Sequence, residues 1–205
     1  LFLTMKALGL GSGDEVITCP NSFYATAWAI VATGAKPVFV DVDKDTLNVN
    51  SDLLLKKINN KTKVIMLVHV LGNSTNVEKI RKVAQRKKII LIEDTCESLG
   101  TKFKNKYLGT FGDFGTFSFY YSHQITSGEG GMIICNNRED YDLLYSMRSH
   151  GWSRNLKNQK KIEKKYPKID PKFIFVNLGF NLRPTDVAAS IANCQLKRLD
   201  KFIKI

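Results

Sequence analysis

The sequence lacks several patterns that would assign it to other classes of protein. It has no apolar run near the ~20 residues that span a bilayer, and it opens on no pattern of a secretory signal peptide. Its four cysteines, at positions 19, 96, 135 and 194, show neither CxxC nor Cys/His ligand spacing. That argues against a structural zinc site and against a disulfide framework. These absences predict a cytoplasmic protein without a resident metal ion.

The net charge of +12 over 205 residues raises the question of nucleic-acid binding. The lysines are spread along the chain and do not alternate with stacking aromatic residues, and only Lys157–Lys168 is a concentrated block. Charge alone speaks to solubility and non-specific attraction, so we expect no nucleic-acid partner. The length is sufficient for one sizeable core.

Short β-branched runs alternate with amphipathic helical patterns in the first half of the chain. This alternation predicts an α/β fold with a largely parallel sheet covered by helices on both faces. The predicted strands are Glu15–Cys19, Pro37–Val42, Lys63–Val68 and Ile89–Glu93, and the predicted helices are Ser22–Thr33, Asp52–Ile58 and Asn76–Arg86.

The second half has a more mixed character. We predict, in chain order, a hairpin at Lys102–Tyr107, strands at Thr116–Tyr120 and Gly131–Asn136, a helix at Arg138–His150, a long basic loop at Lys157–Phe173, and a helix from Thr185 onward with Thr185 as N-cap.

Polar residues follow three of the predicted strands. Ligands of open α/β sheets bind at the carboxyl ends of the strands. We therefore expect Asn21–Phe23, Asp94–Glu97 and Ser118–His123 to lie near one another on a common rim.

Two of these segments carry side chains that could bind a ligand or take part in a reaction, although each also has a simpler structural interpretation. Asp94 ends an apolar strand and could hold a protonated ring nitrogen, or it could merely cap the next turn. Ser118 and the glycine-rich segment Gly128–Gly131 could bind phosphate oxygens, with His123 between them. The alternative is a plain turn between strands, with His123 as an ordinary polar residue.

The combination of segments resembles the DegT/DnrJ/EryC1/StrS sugar aminotransferase family of fold-type I pyridoxal phosphate enzymes. The resemblance runs in the family's order through nearly the whole chain. Its segments are Gly11–Pro20, Gly34–Val42, Glu93–Gly100, Gly112–Phe119, Gly128–Gly131 and Leu178–Asp186.

The resemblance implies an aspartate-aminotransferase-like large domain at residues 1–186, truncated at its start. Residues 187–205 would begin the helix toward a C-terminal small domain.

The resemblance also implies roles for five residues in binding pyridoxal or pyridoxamine phosphate. Asp94 would pair with the pyridine nitrogen, Phe23 would stack on the ring, and Glu97 would lie near the ring hydroxyl. Ser118 would bind the cofactor phosphate, and Asn181 would reach the phosphate in a partner subunit, which implies a homodimer.

The sequence departs from the family at the lysine that binds the cofactor covalently. Ser122-His123-Gln124-Ile125 occupies that place, five residues before Gly128, and no lysine lies between Lys106 and Lys157. This pattern resembles the 3-dehydratase branch, which acts on nucleotide-linked 4-keto-6-deoxyhexoses. Imidazole cannot tether the cofactor, yet it can act as a base near neutral pH. The resemblance implies removal of the C3 hydroxyl with His123 as base, with glutamate supplying the amine.

Cysteine usage separates two kinds of 3-dehydratase. One kind binds a [2Fe–2S] cluster through four cysteines. This chain has a cysteine at only one of those four places, Cys96. The sequence therefore favours the cluster-free kind. Two alternatives stay open: an aminotransferase that tolerates His123, and an inactive homologue that only binds ligand or dimerises.

Overall fold

Two compact units make up the part of the chain that the computed structural model describes, residues 1–204. The first consists of Leu1–Ile134 with the segment from Thr185 onward, and the second is Cys135–Pro184. In the first unit the helices are α1 (Phe2–Ala7), α2 (Tyr24–Val31), α3 (Ser51–Lys57), α4 (Val77–Lys87), α7 (Asp186–Leu196) and α8 (Leu199–Ile203). The second unit contains α5 (Arg138–Met147) and α6 (Gln159–Lys165).

A six-stranded sheet forms the centre of the first unit. Its strands are β1 (Glu15–Thr18), β2 (Lys36–Phe39), β3 (Thr62–Val68), β4 (Ile90–Asp94), β7 (Phe114–Ser118) and β8 (Gly131–Cys135), in the order β2-β1-β3-β4-β7-β8. The four pairings that join β2, β1, β3, β4 and β7 are all parallel. Two short strands, β5 (Lys102–Phe103) and β6 (Lys106–Tyr107), form the predicted antiparallel hairpin.

Burial explains the sheet order. The central strands β3 and β4 are apolar along most of their length, and Ile65, Leu67 and Leu91 are almost inaccessible. Strand β2 contains Pro37, which lacks a backbone N–H and so suits the edge position that β2 occupies. The predicted parallel sheet is confirmed, with strand bounds within three residues of those expected.

One expectation from the sequence is wrong. The segment Lys157–Phe173 was expected as a loop, but it contains α6 and a short 3-10 helix at Pro171–Phe173. A hydrogen bond between the Gln159 and Glu163 side chains (2.8 Å) joins successive turns of α6. The lysines in its last turn interact favourably with the helix dipole. Glutamine and lysine are good helix formers. The high charge of the segment led to the prediction of a loop in spite of this helix propensity.

The predicted start of the last long helix is confirmed. The Thr185 hydroxyl accepts a hydrogen bond from the Ala188 amide (3.1 Å), which is the geometry of an N-cap. Within residues 1–204, no helix combines the length and the apolar character that a membrane crossing requires.

Candidate active site

The predicted rim exists at the carboxyl edge of the sheet. Parallel strands β1, β4 and β7 all end there, and the register pairs Asp94 with Val68 on one side and Thr116 on the other. The Thr26 hydroxyl, in the first turn of α2, donates a hydrogen bond to the Asp94 carboxylate (3.1 Å). The contact brings the segment that follows β1 to the end of β4.

Asp94 is buried, with 5% of its surface exposed. Besides Thr26, its carboxylate accepts a hydrogen bond from the Cys96 amide (3.3 Å). Within residues 1–204, no lysine, arginine or histidine lies within 4.0 Å of it. A buried carboxylate costs free energy unless it is paired, so this arrangement suits a cationic group supplied by a ligand.

The Cys96 thiol lies beside this carboxylate. Burial raises its pKa well above the ordinary value, and the neighbouring charge of Asp94 raises it further. A thiol with a raised pKa stays protonated and is a weak nucleophile. The surroundings of Cys96 therefore favour its thiol form over the thiolate.

Glu97 connects two turns. One carboxylate oxygen accepts a hydrogen bond from the Leu71 amide (2.9 Å), and its backbone carbonyl accepts one from Gln124 Nε2 (2.5 Å). Leu71 has a positive φ of 50° and 76% of its surface is exposed. Because Gln124 follows His123 directly, the bond places the histidine turn next to the loop after β4.

The turn that carries His123 is closed by its own hydrogen bonds. The His123 amide donates to the Tyr120 carbonyl (3.1 Å), and the Tyr120 amide donates to the Ser118 hydroxyl (3.2 Å). Farther along, the Ser127 amide and the Thr126 hydroxyl both donate to the Phe119 carbonyl. The His123 side chain is half-buried and packs at 6.2 Å, edge to face, on the Tyr120 ring.

Phe23 presents an aromatic ring at the same edge. It is the N-cap residue of α2, just outside the helix, with an extended backbone. Its side chain is 70% exposed and tilts against Tyr24 at 4.5 Å. The large exposed apolar area next to Thr26 is available to stack on a planar ligand.

Sequence reasoning assigned no partner or role to the second carboxylate on β4. Glu93 is fully buried and hydrogen-bonds to His69 Nε2 at 2.9 Å. It also accepts backbone hydrogen bonds from Gly109 (2.9 Å), Phe111 (2.6 Å) and Gly112 (2.6 Å). Burial alone would raise the pKa of Glu93, but the hydrogen bond and charge of His69, together with the backbone donors, hold it below the ordinary value. A charged residue inside an apolar strand was the available signal.

Asn181 lies in the second unit. Its backbone forms an antiparallel bridge with Ser149, and the Leu182 amide donates to the Arg148 carbonyl (2.9 Å). These bonds hold the segment after α5 against the segment that contains Asn181. The nearby Gly179 is required, since a Cβ there would lie within 2.6 Å of backbone atoms of Met147, His150 and Gly151.

Comparison with known proteins establishes the family. The model of the DegT/DnrJ/EryC1/StrS aminotransferase family matches residues 1–205, so the chain belongs to this family. Its fold is accordingly that of the large domain of fold-type I pyridoxal phosphate enzymes, as expected from the sequence.

Similar proteins in this family include enzymes named as sugar 3-dehydratases. The chain is 41% identical over 207 residues to GDP-4-keto-6-deoxy-D-mannose 3-dehydratase of Escherichia coli O55:H7, covering 100% of this chain and 53% of that enzyme. A solved structure of a GDP-4-keto-6-deoxymannose-3-dehydratase mutant with bound GDP-perosamine matches with a TM-score of 0.91 and 39% identity, covering 100% and 55% of the two chains. Another, with a trapped PLP-glutamate geminal diamine, matches with a TM-score of 0.90 and 38% identity, covering 98% and 54%. The chain thus spans about half the length of these relatives.

Proposed function

We propose that the protein removes the C3 hydroxyl of a nucleotide-linked 4-keto-6-deoxyhexose, as a pyridoxal or pyridoxamine phosphate-dependent 3-dehydratase. The observation that carries the proposal is His123, at the family's lysine position, in a turn that Gln124 ties to the loop after β4. The relatives described as GDP-4-keto-6-deoxymannose 3-dehydratases support the substrate class. The resulting deoxysugar would serve surface-polysaccharide synthesis.

The residues at the rim fit this cofactor. Asp94 is a buried carboxylate with no lysine, arginine or histidine partner among the described residues, so it can keep a pyridine nitrogen protonated. Phe23 has an exposed ring that can stack on the cofactor, and Ser118 has a hydroxyl suited to its phosphate. Glu97 keeps one carboxylate oxygen free of hydrogen bonds within residues 1–204 and would lie near the ring hydroxyl. When bound, the protonated pyridine ring supplies an electron sink.

The remaining steps of the proposed reaction depend on the side chain at position 123. His123 accepts a proton at an imidazole nitrogen, and the hydroxyl at C3 of the sugar takes up that proton and leaves as water. Without a lysine amine at this position, the chain has no group there that would return a proton to the sugar carbon and complete amino transfer. Hydrolysis then gives a 3-deoxy-4-keto sugar and ammonia, and glutamate restores the amine form of the cofactor. A relative trapped with PLP and glutamate supports that amino donor.

We further propose a homodimer in which Asn181 reaches the cofactor phosphate of the partner subunit. The support is the match of Gly179-Phe180-Asn181 to the family's motif and the hydrogen bonds that fix this segment on residues 148–150. Sedimentation of the purified protein tests the dimer. Asn181→Ala should weaken cofactor binding without unfolding the second unit.

The decisive experiment is product analysis with the purified full-length protein. GDP- and CDP-linked 4-keto-6-deoxyhexoses are incubated with pyridoxal phosphate and glutamate, and ammonia and the sugar product are measured. We expect ammonia and a 3-deoxy sugar, and no reaction with His123→Ala. A stable 4-amino sugar would instead identify an aminotransferase, and no turnover of either substrate would favour a homologue that only binds ligand.

A second measurement tests the absence of a covalent tether. Borohydride treatment in the presence of pyridoxal phosphate, followed by peptide mapping, should label no lysine of the wild-type chain. His123→Lys should become labelled at position 123. Labelling of Lys106 or Lys157 in the wild type would show that another lysine has taken over the family's role.

A further inference from the structure

Two arginines of the second unit share one tryptophan ring. The guanidinium carbon of Arg154 lies 4.2 Å from the centre of the Trp152 ring, and that of Arg183 lies 5.3 Å from it. The two charges are therefore within about one Debye length (~10 Å at 0.1 M salt) of each other and repel with little screening. A negative charge nearby would relieve this repulsion.

No carboxylate of residues 1–204 provides that charge, since none lies within 4.0 Å of either guanidinium group. Two acidic side chains of the same unit are engaged elsewhere. Glu163 accepts from Gln159 (2.8 Å), and Asp170 accepts from the Lys172 amide (2.9 Å). Arg138 offers a contrast in the same unit, because it is paired with Asp142 at 2.8 Å.

The stacking leaves the binding edges of the arginines available. A guanidinium group that lies over an aromatic face directs its N–H donors outward in a planar fork, the geometry that binds phosphate oxygens in pairs. Arg154 uses one such donor on the Lys172 carbonyl (2.9 Å), which fixes its orientation. The Trp152 indole N–H is itself buried and has no hydrogen-bond partner in residues 1–204.

The ring beneath the arginines is held firmly. Phe175 stacks on Trp152 at 5.8 Å and 30°, and His150 packs against it edge to face at 5.9 Å. Trp152 and Phe175 also form an antiparallel backbone bridge. Preorganised cationic groups bind an anion with a smaller loss of side-chain entropy than flexible ones.

We propose that Arg154 and Arg183, stacked on Trp152, form a binding site for a phosphate or diphosphate group. This inference rests on the proposed function, because a nucleotide-linked sugar carries a diphosphate. The cofactor phosphate bound to a second copy of the chain has the same chemistry, and the experiment separates the two sources.

The experiment measures ligand affinity by calorimetry on the purified full-length protein, without turnover. GDP, guanosine and pyridoxamine phosphate are titrated into the wild type and into Arg154→Gln and Arg183→Gln. Each substitution should weaken GDP binding about 10- to 100-fold, the loss expected for hydrogen bonds between charged groups. Guanosine affinity should stay unchanged. Arg154→Lys should recover only part of the loss, since an ammonium lacks the planar fork.

Arg138→Gln is the matched control, because it removes an arginine that already has a carboxylate partner. A loss of pyridoxamine phosphate affinity instead of GDP affinity would assign the site to the cofactor phosphate. The proposal is overturned if neither ligand changes by more than about twofold while circular dichroism shows a folded protein. It is equally overturned if Arg138→Gln weakens GDP binding as much as the other two substitutions.

An indole reporter gives an independent check. GDP should change the tryptophan fluorescence of the wild type, and Trp152→Phe should abolish most of that change. These measurements need neither sugar substrate nor glutamate. Failure of dehydration with an intact arginine effect would therefore reject the proposed reaction and leave the anion site standing, and the converse result would reject the anion site alone.

Discussion

Two neighbouring carboxylates on β4 have opposite surroundings. The Glu93 carboxylate is fully hydrogen-bonded, because His69 and three backbone amides donate to it. Asp94, one residue later and on the other face of the sheet, receives hydrogen bonds from one hydroxyl and one amide and lies beside the Cys96 thiol. Within residues 1–204 no lysine, arginine or histidine is paired with it. The difference separates a charge that the fold has already neutralised from one that is available to a ligand.

The largest effect that follows from this comparison concerns stability. Glu93→Ala should lower the free energy of unfolding by about 3–5 kcal/mol, because it leaves His69 and three backbone donors buried without an acceptor. Urea unfolding followed by circular dichroism measures it. Glu93→Gln, which keeps the volume and one acceptor oxygen, should lose less. A change below about 1 kcal/mol for alanine, comparable to an exposed Glu78→Ala control, would contradict the structural role.

Asp94→Asn should have the opposite pattern of effects, with a large loss of activity and a small change in stability. We expect catalytic turnover to fall about 10²- to 10³-fold, the scale for losing one preorganised electrostatic contact, while the unfolding midpoint changes little. Activity and urea unfolding are measured on the same preparation, with Asp52→Asn as a surface control. Full activity in the asparagine variant would remove the distinction between the two carboxylates.

Acid should affect stability through Glu93. Its pKa is lower in the folded protein than in the unfolded chain. Its contribution is therefore complete above the unfolded pKa of about 4.3 and is lost as the pH falls through the lower, folded value. The free energy of unfolding should decrease below about pH 4.3, and less steeply in Glu93→Gln. Parallel pH profiles for the two proteins would exclude Glu93 as the source.

The smallest effect concerns the hydroxyl of Thr26, which donates a hydrogen bond to Asp94. Thr26→Val removes the hydroxyl at nearly constant volume, so we expect a loss of about 0.5–1.5 kcal/mol in unfolding free energy and a modest loss of cofactor affinity. Differential unfolding with and without pyridoxal phosphate measures both. Unchanged values would mean that the Thr26 contact does not help to orient the carboxylate.

Sequence reasoning succeeded where local pattern and packing agree. The alternation of apolar runs and amphipathic helices predicted β1–β4 and the common rim, and Thr185 predicted a cap, because both signals are local. The pairing of His69 with Glu93 joins positions 24 residues apart in sequence, and nothing in local periodicity indicates it. The cation cluster on Trp152 likewise depends on three-dimensional contacts. The division into domains at residue 186 and the roles of Asp94, Glu97, Phe23, Ser118, His123 and Asn181 stay predictions.

The closed turn around His123 has a consequence for substitutions at that position. The backbone and hydroxyl bonds of residues 118–127 hold its shape, Gln124 anchors it to Glu97, and the His123 imidazole makes no hydrogen bond within residues 1–204. The side chain at position 123 can therefore be exchanged without disturbing the scaffold. On the proposed role of position 123, a substitution there would redirect the reaction while each variant inherits the same folded framework.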